Sequence, residues 1–284
     1  MNQVQSRRRC MSLATLGLAA LVANSPARAQ STDDTWHFAV GAGAVTQPQY
    51  PGADHLKTRV LPLASATFGR FAFGNLDDAD LPFGASVTLL QGSHWKIAGA
   101  LGSDLERPRM ASDSPRLKGT GNIDPTLLGS LYANYDERWF LVRGAIVSDL
   151  DPRRRGISGL DDPESHRRNS EGTRASIDIE GKVSPIPDLT LVAGPGIVWA
   201  DSRYQRTFFG VDAVQSANSG LAFHDAGAGV NAVRMTVGAQ YRLTPTWNIG
   251  ARFVASDLQG QAADSPITAK RWQNAAAVTT TVRF

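Results

Sequence analysis

Residues 174–183 read Arg-Ala-Ser-Ile-Asp-Ile-Glu-Gly-Lys-Val. An extended chain points successive side chains to opposite faces. Ala175, Ile177, Ile179, Gly181 and Val183 therefore make one row, and Arg174, Ser176, Asp178, Glu180 and Lys182 make the other. One row carries no charge and the other is almost wholly charged. In a soluble sheet the charged row would meet water. In a membrane barrel it turns into the lumen and leaves the uncharged row to lipid.

The same period of two recurs along the chain. Val233, Met235, Val237, Ala239 and Tyr241 oppose Arg234, Thr236, Gln240 and Arg242; Trp247, Ile249, Ala251 and Phe253 oppose Asn248, Gly250 and Arg252; Trp95, Ile97, Gly99 and Leu101 oppose Lys96 and small residues. This distribution is expected where a charge facing lipid at mid-depth costs about 2–4 kcal/mol. The pattern predicts about twelve strands, near 36–45, 57–67, 69–75, 83–90, 94–103, 126–135, 138–149, 171–183, 188–201, 227–242, 246–257 and 272–284. Parity is ambiguous around Pro62, and Pro195 between Gly194 and Gly196 is expected to weaken or bulge its strand, so ten strands is the alternative. The fold class is all-β: a transmembrane, antiparallel, up-and-down barrel.

Connections and aromatics agree with that reading. Short links near Gly69, Gln91–Ser93, Asp136-Glu137, Ser184–Pro187 and Leu243–Pro245 alternate with long ones near 46–56, 76–82, 104–125, 150–170, 202–226 and 258–271. Outer-membrane barrels have short periplasmic turns and longer external loops. Trp36, Trp95, Trp139, Trp247, Tyr135, Tyr241 and Phe284 fall at the short-turn ends, with Trp199 and Trp272 opposite, as two interfacial girdles require. Trp139 is out of parity with Phe140. The chain ends in an alternating strand closed by Phe284, which resembles the address read by the barrel-assembly machinery.

The N-terminus reads as a leader. Arg7, Arg8 and Arg9 precede a short apolar stretch from Met11 to Ala23, and Ala27-Arg28-Ala29 gives a small-x-small cleavage pattern, so residues 1–29 are expected to be a cleaved signal peptide and 30–284 one barrel domain. Export by the unfolded-chain (Sec) route to the outer membrane of a Gram-negative cell follows. No apolar run reaches the roughly 20 residues of a spanning helix. The whole chain has 29 basic and 26 acidic side chains, and the leader removes four Arg, so the net charge falls from +3 to −1. The basic balance therefore gives no support to nucleic-acid binding. Cys10 leaves with the leader.

No catalytic, cofactor or metal set emerges. His37, His55, His94, His166 and His224 are scattered without ligand spacing, and neither a Gly-x-Ser-x-Gly elbow nor a His-Glu-x-x-His stretch is present. Asp77-Asp78, or Asp161-Asp162 with His166, are the remote candidates for a barrel hydrolase; solvated acidic loops explain them more simply. Arg153–Arg155 and Arg167-Arg168 in the 150–170 loop could touch lipopolysaccharide phosphates, although a mixed-charge loop is ordinarily a solvated face. The informative charges are those of the inner parity: Lys96, Arg143, Arg174, Asp178, Glu180, Lys182, Arg234, Arg252 and Arg283. In a barrel of this size they either close the lumen in pairs or line a small-solute pore.

The chain resembles the MipA/OmpV family of outer-membrane barrels over essentially its whole mature length. The resemblance is carried by Tyr50-Pro51-Gly52, Phe208-Phe209-Gly210-Val211, Ser219-Gly220-Leu221, the Tyr241–Thr244 hairpin with Trp247, Leu258–Gly260 with Asp264-Ser265-Pro266-Ile267, and the terminal Phe284. It implies a non-enzymatic scaffold holding a murein transglycosylase near a murein synthase; other members are described as porin-like. It supplies no catalytic residues. The motifs at 208–211, 219–221 and 264–267 fall in predicted external loops, where they are expected to fold over the barrel mouth.

Overall fold

A computed structural model of the chain describes residues 35–74, 81–103, 108–150 and 172–284. The expected leader, the Asp77-Asp78 pair, and the 151–171 stretch with its arginines, Asp161-Asp162 and His166 lie outside the described residues. Twelve antiparallel strands run in chain order: β1 (Trp36–Pro48), β2 (Leu56–Phe68), β3 (Phe71–Gly74), β4 (Phe83–Gln91), β5 (Trp95–Ser103), β6 (Leu127–Asp136), β7 (Phe140–Asp149), β8 (Thr173–Ile186), β9 (Leu189–Ala200), β10 (Gly229–Arg242), β11 (Trp247–Leu258) and β12 (Trp272–Arg283). Each pairs with its neighbours in sequence, and β1 pairs with β12 to close the barrel. At the seam Phe284 donates its N–H to the Phe38 carbonyl at 2.9 Å and accepts from Phe38 N–H at 3.3 Å. Closure leaves no sheet edge to be satisfied in a medium without water.

The ambiguous region around Pro62 resolves into β2, which pairs with β1 without a break from Trp36↔Phe68 to Pro48↔Leu56; twelve strands, not ten, is the count. Pro195 does not bulge β9. Its register with β10 is continuous through Met235↔Pro195, and the β8 register keeps its phase from Asp178↔Gly196 to Gly181↔Ala193, with no pairs formed between them. Proline removes one ladder donor, and here that weakens the ladder without shifting it. The bulges lie elsewhere, between Thr88 and Leu90, Val230 and Ala232, and Val183 and Ile186. The first puts both Leu89 and Leu90 on the outside.

The apolar row of every long strand faces outward. Val60, Leu101, Ile146, Ile179, Val237 and Val278 are each at least 49% exposed, whereas the charged row of β8, Asp178 and Glu180, is at most 4% exposed. A continuous exposed apolar belt of this kind is untenable in water and expected against lipid. Trp139 sits in the β6–β7 turn rather than on a strand, 65% exposed, which removes its parity conflict with Phe140. The aromatic girdles lie at both rims, and Trp36 stacks with Phe38 and Phe68 at the short-turn rim.

Candidate functional site

Two structures lie along the barrel axis. The first is an ionic lattice inside the waist. Arg143 on β7 and Arg252 on β11 both donate to Oε1 of Glu180 on β8, Arg252 at 2.6 Å. Arg234 on β10 grips Asp178 through Nε and Nη2 at 2.7 and 2.5 Å. Lys182 pairs with Asp136 at the end of β6. The side chains of Arg143, Glu180 and Arg252 are at most 8% exposed. From β8 to β11 the lattice must pass over β9 and β10, and there the inward positions Gly194, Gly196 and Gly238 carry no side chain. A Cβ at Gly196 would come within 1.9 Å of Asp178 Oδ1. The glycines flanking Pro195 thus make the trough in which the ion pairs lie.

Three further charges of the expected inner row lie on β5, β8 and β12. Lys96 Nζ lies 5.6 Å from the ring centroid of buried Tyr132, a cation–π distance. Arg174 and Arg283 are half-buried at opposite ends of the inner face. Asp136 was not among the expected lumen residues, because Asp136-Glu137 reads as a turn; its parity with Tyr132 and Asn134 was the available signal. Nearer the long-loop rim two apolar clusters line part of the inner face: Val45, Val254 and Ala277 form one, and Leu81, Ala98, Ala100, Leu128, Tyr132, Ala145 and Val147 another.

The second structure is a cap over that rim, built from connections that start on opposite sides of the cylinder. The β5–β6 connection leaves the wall six strands from β11–β12, yet Arg116 Nη1 donates to the Pro266 carbonyl at 3.0 Å. The same connection reaches the β9–β10 connection, where buried Arg109 donates to the Phe208 carbonyl at 2.8 Å and Gln215 donates to the Thr120 carbonyl at 3.1 Å. The connections therefore cross the mouth. Local signals fold them: Asp201 caps α1 (Ser202–Phe209) by accepting from Tyr204 N–H, and Asp212 with Gln215 forms a capping box on α2 (Ala213–Ser219), which Gly220 ends at φ +75°.

Two apolar clusters hold the cap. Phe208 and Phe209 pack with Ile123, Tyr204, Ala226 and Ala262; Tyr50, Ala53, Leu117, Val211 and Ile267 pack with Leu221. Ser265 Oγ donates to the Phe209 carbonyl at 2.5 Å and accepts from Ile267 N–H. Ser219 Oγ bonds the Gln215 carbonyl and accepts from Leu221 N–H. Gly210 ends α1, its N–H on the Arg206 carbonyl. Gly52, after Pro51, has φ +91° and lies where a Cβ would strike Thr268. All the motif positions singled out in the loops thus meet in one assembly. Burial raises the Tyr50 phenol pKa, and outside the clusters the hydrogen bond and charge of Arg206 lower the carboxyl of Asp225. Among the described residues the histidines do not converge: His37 approaches Thr35, His94 the Asp136 carbonyl, His55 Asp54 and His224 the Gln261 carbonyl.

A closed antiparallel cylinder with a lipid-facing apolar row, two aromatic girdles and alternating short and long connections is a transmembrane β-barrel of the outer-membrane type. Within that class the model for the family described as MltA-interacting protein MipA matches residues 40–284, and the chain belongs to this family. None of the curated proteins matches. Similar solved structures include a loop-deletion mutant of OmpT, an outer membrane protein of Vibrio cholerae (8% identity, 88% of this chain and 99% of that one, TM-score 0.38). Salmonella typhi OmpF (8%, 89% and 98%, 0.37) and the Ralstonia pickettii toluene transporter TbuX (11%, 92% and 92%, 0.35) are others.

Proposed function

We propose that this chain is a non-enzymatic outer-membrane scaffold, which anchors a murein transglycosylase and its partner synthase at the periplasmic rim instead of conducting solutes. In this reading residues 1–29 are a leader cleaved after export, the barrel-assembly machinery inserts the chain through its Phe284 strand, and lipopolysaccharide surrounds its outer half. The observation that carries it is the pairing and burial of the inner charges at the waist together with the packing of the loops over the mouth. A solute would have to part desolvated ion pairs at the waist and packed loops at the mouth. A barrel so closed acts through its rims, and the family's description, MltA-interacting, names the kind of partner.

The test has two arms on the refolded barrel in detergent. Immobilised barrel should retain an MltA-type transglycosylase from periplasmic extract, and planar bilayers should record no unitary conductance steps. Regular steps in bilayers, together with no retained transglycosylase, would return the chain to the porin-like alternative.

A further inference from the structure

Among the described residues the outward rows are apolar over most of their length, with polar departures at the long-loop ends; Ser148 and Thr173 make one on β7 and β8, their hydroxyls 2.9 Å apart, and a larger one has cations beside it. At the long-loop ends of β11, β12, β1 and β2, adjacent in the barrel, the outer face carries Asp257, Asn274, Thr46 and Thr58 where hydrophobic residues are the rule. Asn274 and Thr58 are exposed, and the Thr46 and Thr58 hydroxyls lie 2.8 Å apart. Beside them stand Lys270, Arg271 and Trp272, all exposed, with Trp272 at 58%. Trp272 belongs to the girdle of the long-loop rim, so this patch lies at the headgroup depth of the outer leaflet.

The backbone at Lys270 and the guanidinium of Arg271 are held in place. Gly52 in the cap accepts from the backbone N–H groups of Ala269 and Lys270 at 2.8 and 3.0 Å. Asp257 accepts from Arg271 Nε and Nη2 at 2.5 and 2.8 Å. That pair fixes the guanidinium plane without using Nη1, which carries two further N–H donors. Amides and hydroxyls facing hydrocarbon are costly, and the same groups facing a sugar headgroup are satisfied.

We propose that this edge binds the phosphorylated amino-sugar headgroup of an outer-leaflet glycolipid. The phosphate sits on Lys270 and Arg271, as basic side chains favour, the sugar lies against Trp272, and its hydroxyl and amide groups meet Asn274 and Thr58. The inference rests on the outer-membrane placement alone, independent of the murein reading.

Native mass spectrometry of the full barrel in detergent, titrated with bisphosphorylated lipid A, tests it. Wild type should retain the lipid through gentle activation. Lys270→Ala with Arg271→Ala should reduce the retained fraction roughly tenfold, and Asn274→Leu should reduce it roughly threefold. Phosphatidylglycerol and dephosphorylated lipid A, which each lack half of the headgroup chemistry, should be retained no better than by the double variant. Circular dichroism confirms that each variant is folded. Equal retention of lipid A by wild type and the double variant, equal retention of phosphatidylglycerol and lipid A by wild type, or unchanged retention by Asn274→Leu, overturns the proposal.

Discussion

The waist and the cap are held together by opposite physics. At the waist, Glu180 sits between two arginines with almost no solvent contact. Taking charges out of water is expensive, and the arrangement is stable only while every partner is present. In the cap, Phe209, Val211, Leu117 and Ile267 are fully buried, so stability follows the apolar area removed from water, roughly 25 cal/mol per Å². The difference is one of cooperativity. Loss of a single group in the lattice leaves an uncompensated charge, whereas loss of a side chain from the cap costs the area and cavity of that side chain only.

The sharpest way to break this comparison is Glu180→Gln. It keeps the shape and leaves Arg143 and Arg252 facing a neutral amide, so denaturant unfolding in vesicles should show about 3–5 kcal/mol lost. A loss under about 1 kcal/mol would mean that the lattice is screened by water and behaves like surface ion pairs.

Ile267→Ala addresses the other side. A cavity at this fully buried position should cost about 2–5 kcal/mol, but locally. Hydrogen exchange should quicken in residues 48–56, 108–126 and 201–228 while the strands keep their protection. Unfolding of cap and barrel together would show that the two regions are one cooperative unit.

The smallest effect concerns the Arg206–Asp225 pair at the surface of the cap. The Asp225 carboxyl is depressed by Arg206, so its contribution is present above the carboxyl's unfolded value and is lost as pH falls through the lowered folded value. Acidification below the usual aspartate range should increase proteolysis near residues 220–228, and Asp225→Asn should remove that pH dependence. Tyr50 has the opposite sign. Burial raises its phenol, so its contribution holds below the usual tyrosine range and fades as pH rises beyond it.

Much of the barrel could be read from local order. In β8 the alternation at 174–183 separates exposed Ile177 and Ile179 from buried Asp178 and Glu180, and the short and long connections fall at opposite rims. The loop motifs were expected over the mouth, and there they meet. Pro195 misled in part because it and its flanking glycines were read together as strand breakers, whereas those glycines make room for the side chains of the neighbouring strand. Asp136 was missed because a charged dipeptide between two strands reads as a turn, although one of its members still obeys the inner parity.

The choice of twelve strands over ten needed the unbroken β1–β2 pairing. The faces of an alternating strand and the apolar character of the outer surface follow from a period of two, which is a property of neighbouring residues and survives without any knowledge of the rest of the chain. Partnership does not. Glu180 meets Arg143 and Arg252 across 37 and 72 residues of sequence, and Arg116 meets Pro266 across 150. Which inward charges share a level, and which loops meet above them, depends on how the sheet closes and staggers, and only the folded cylinder sets that.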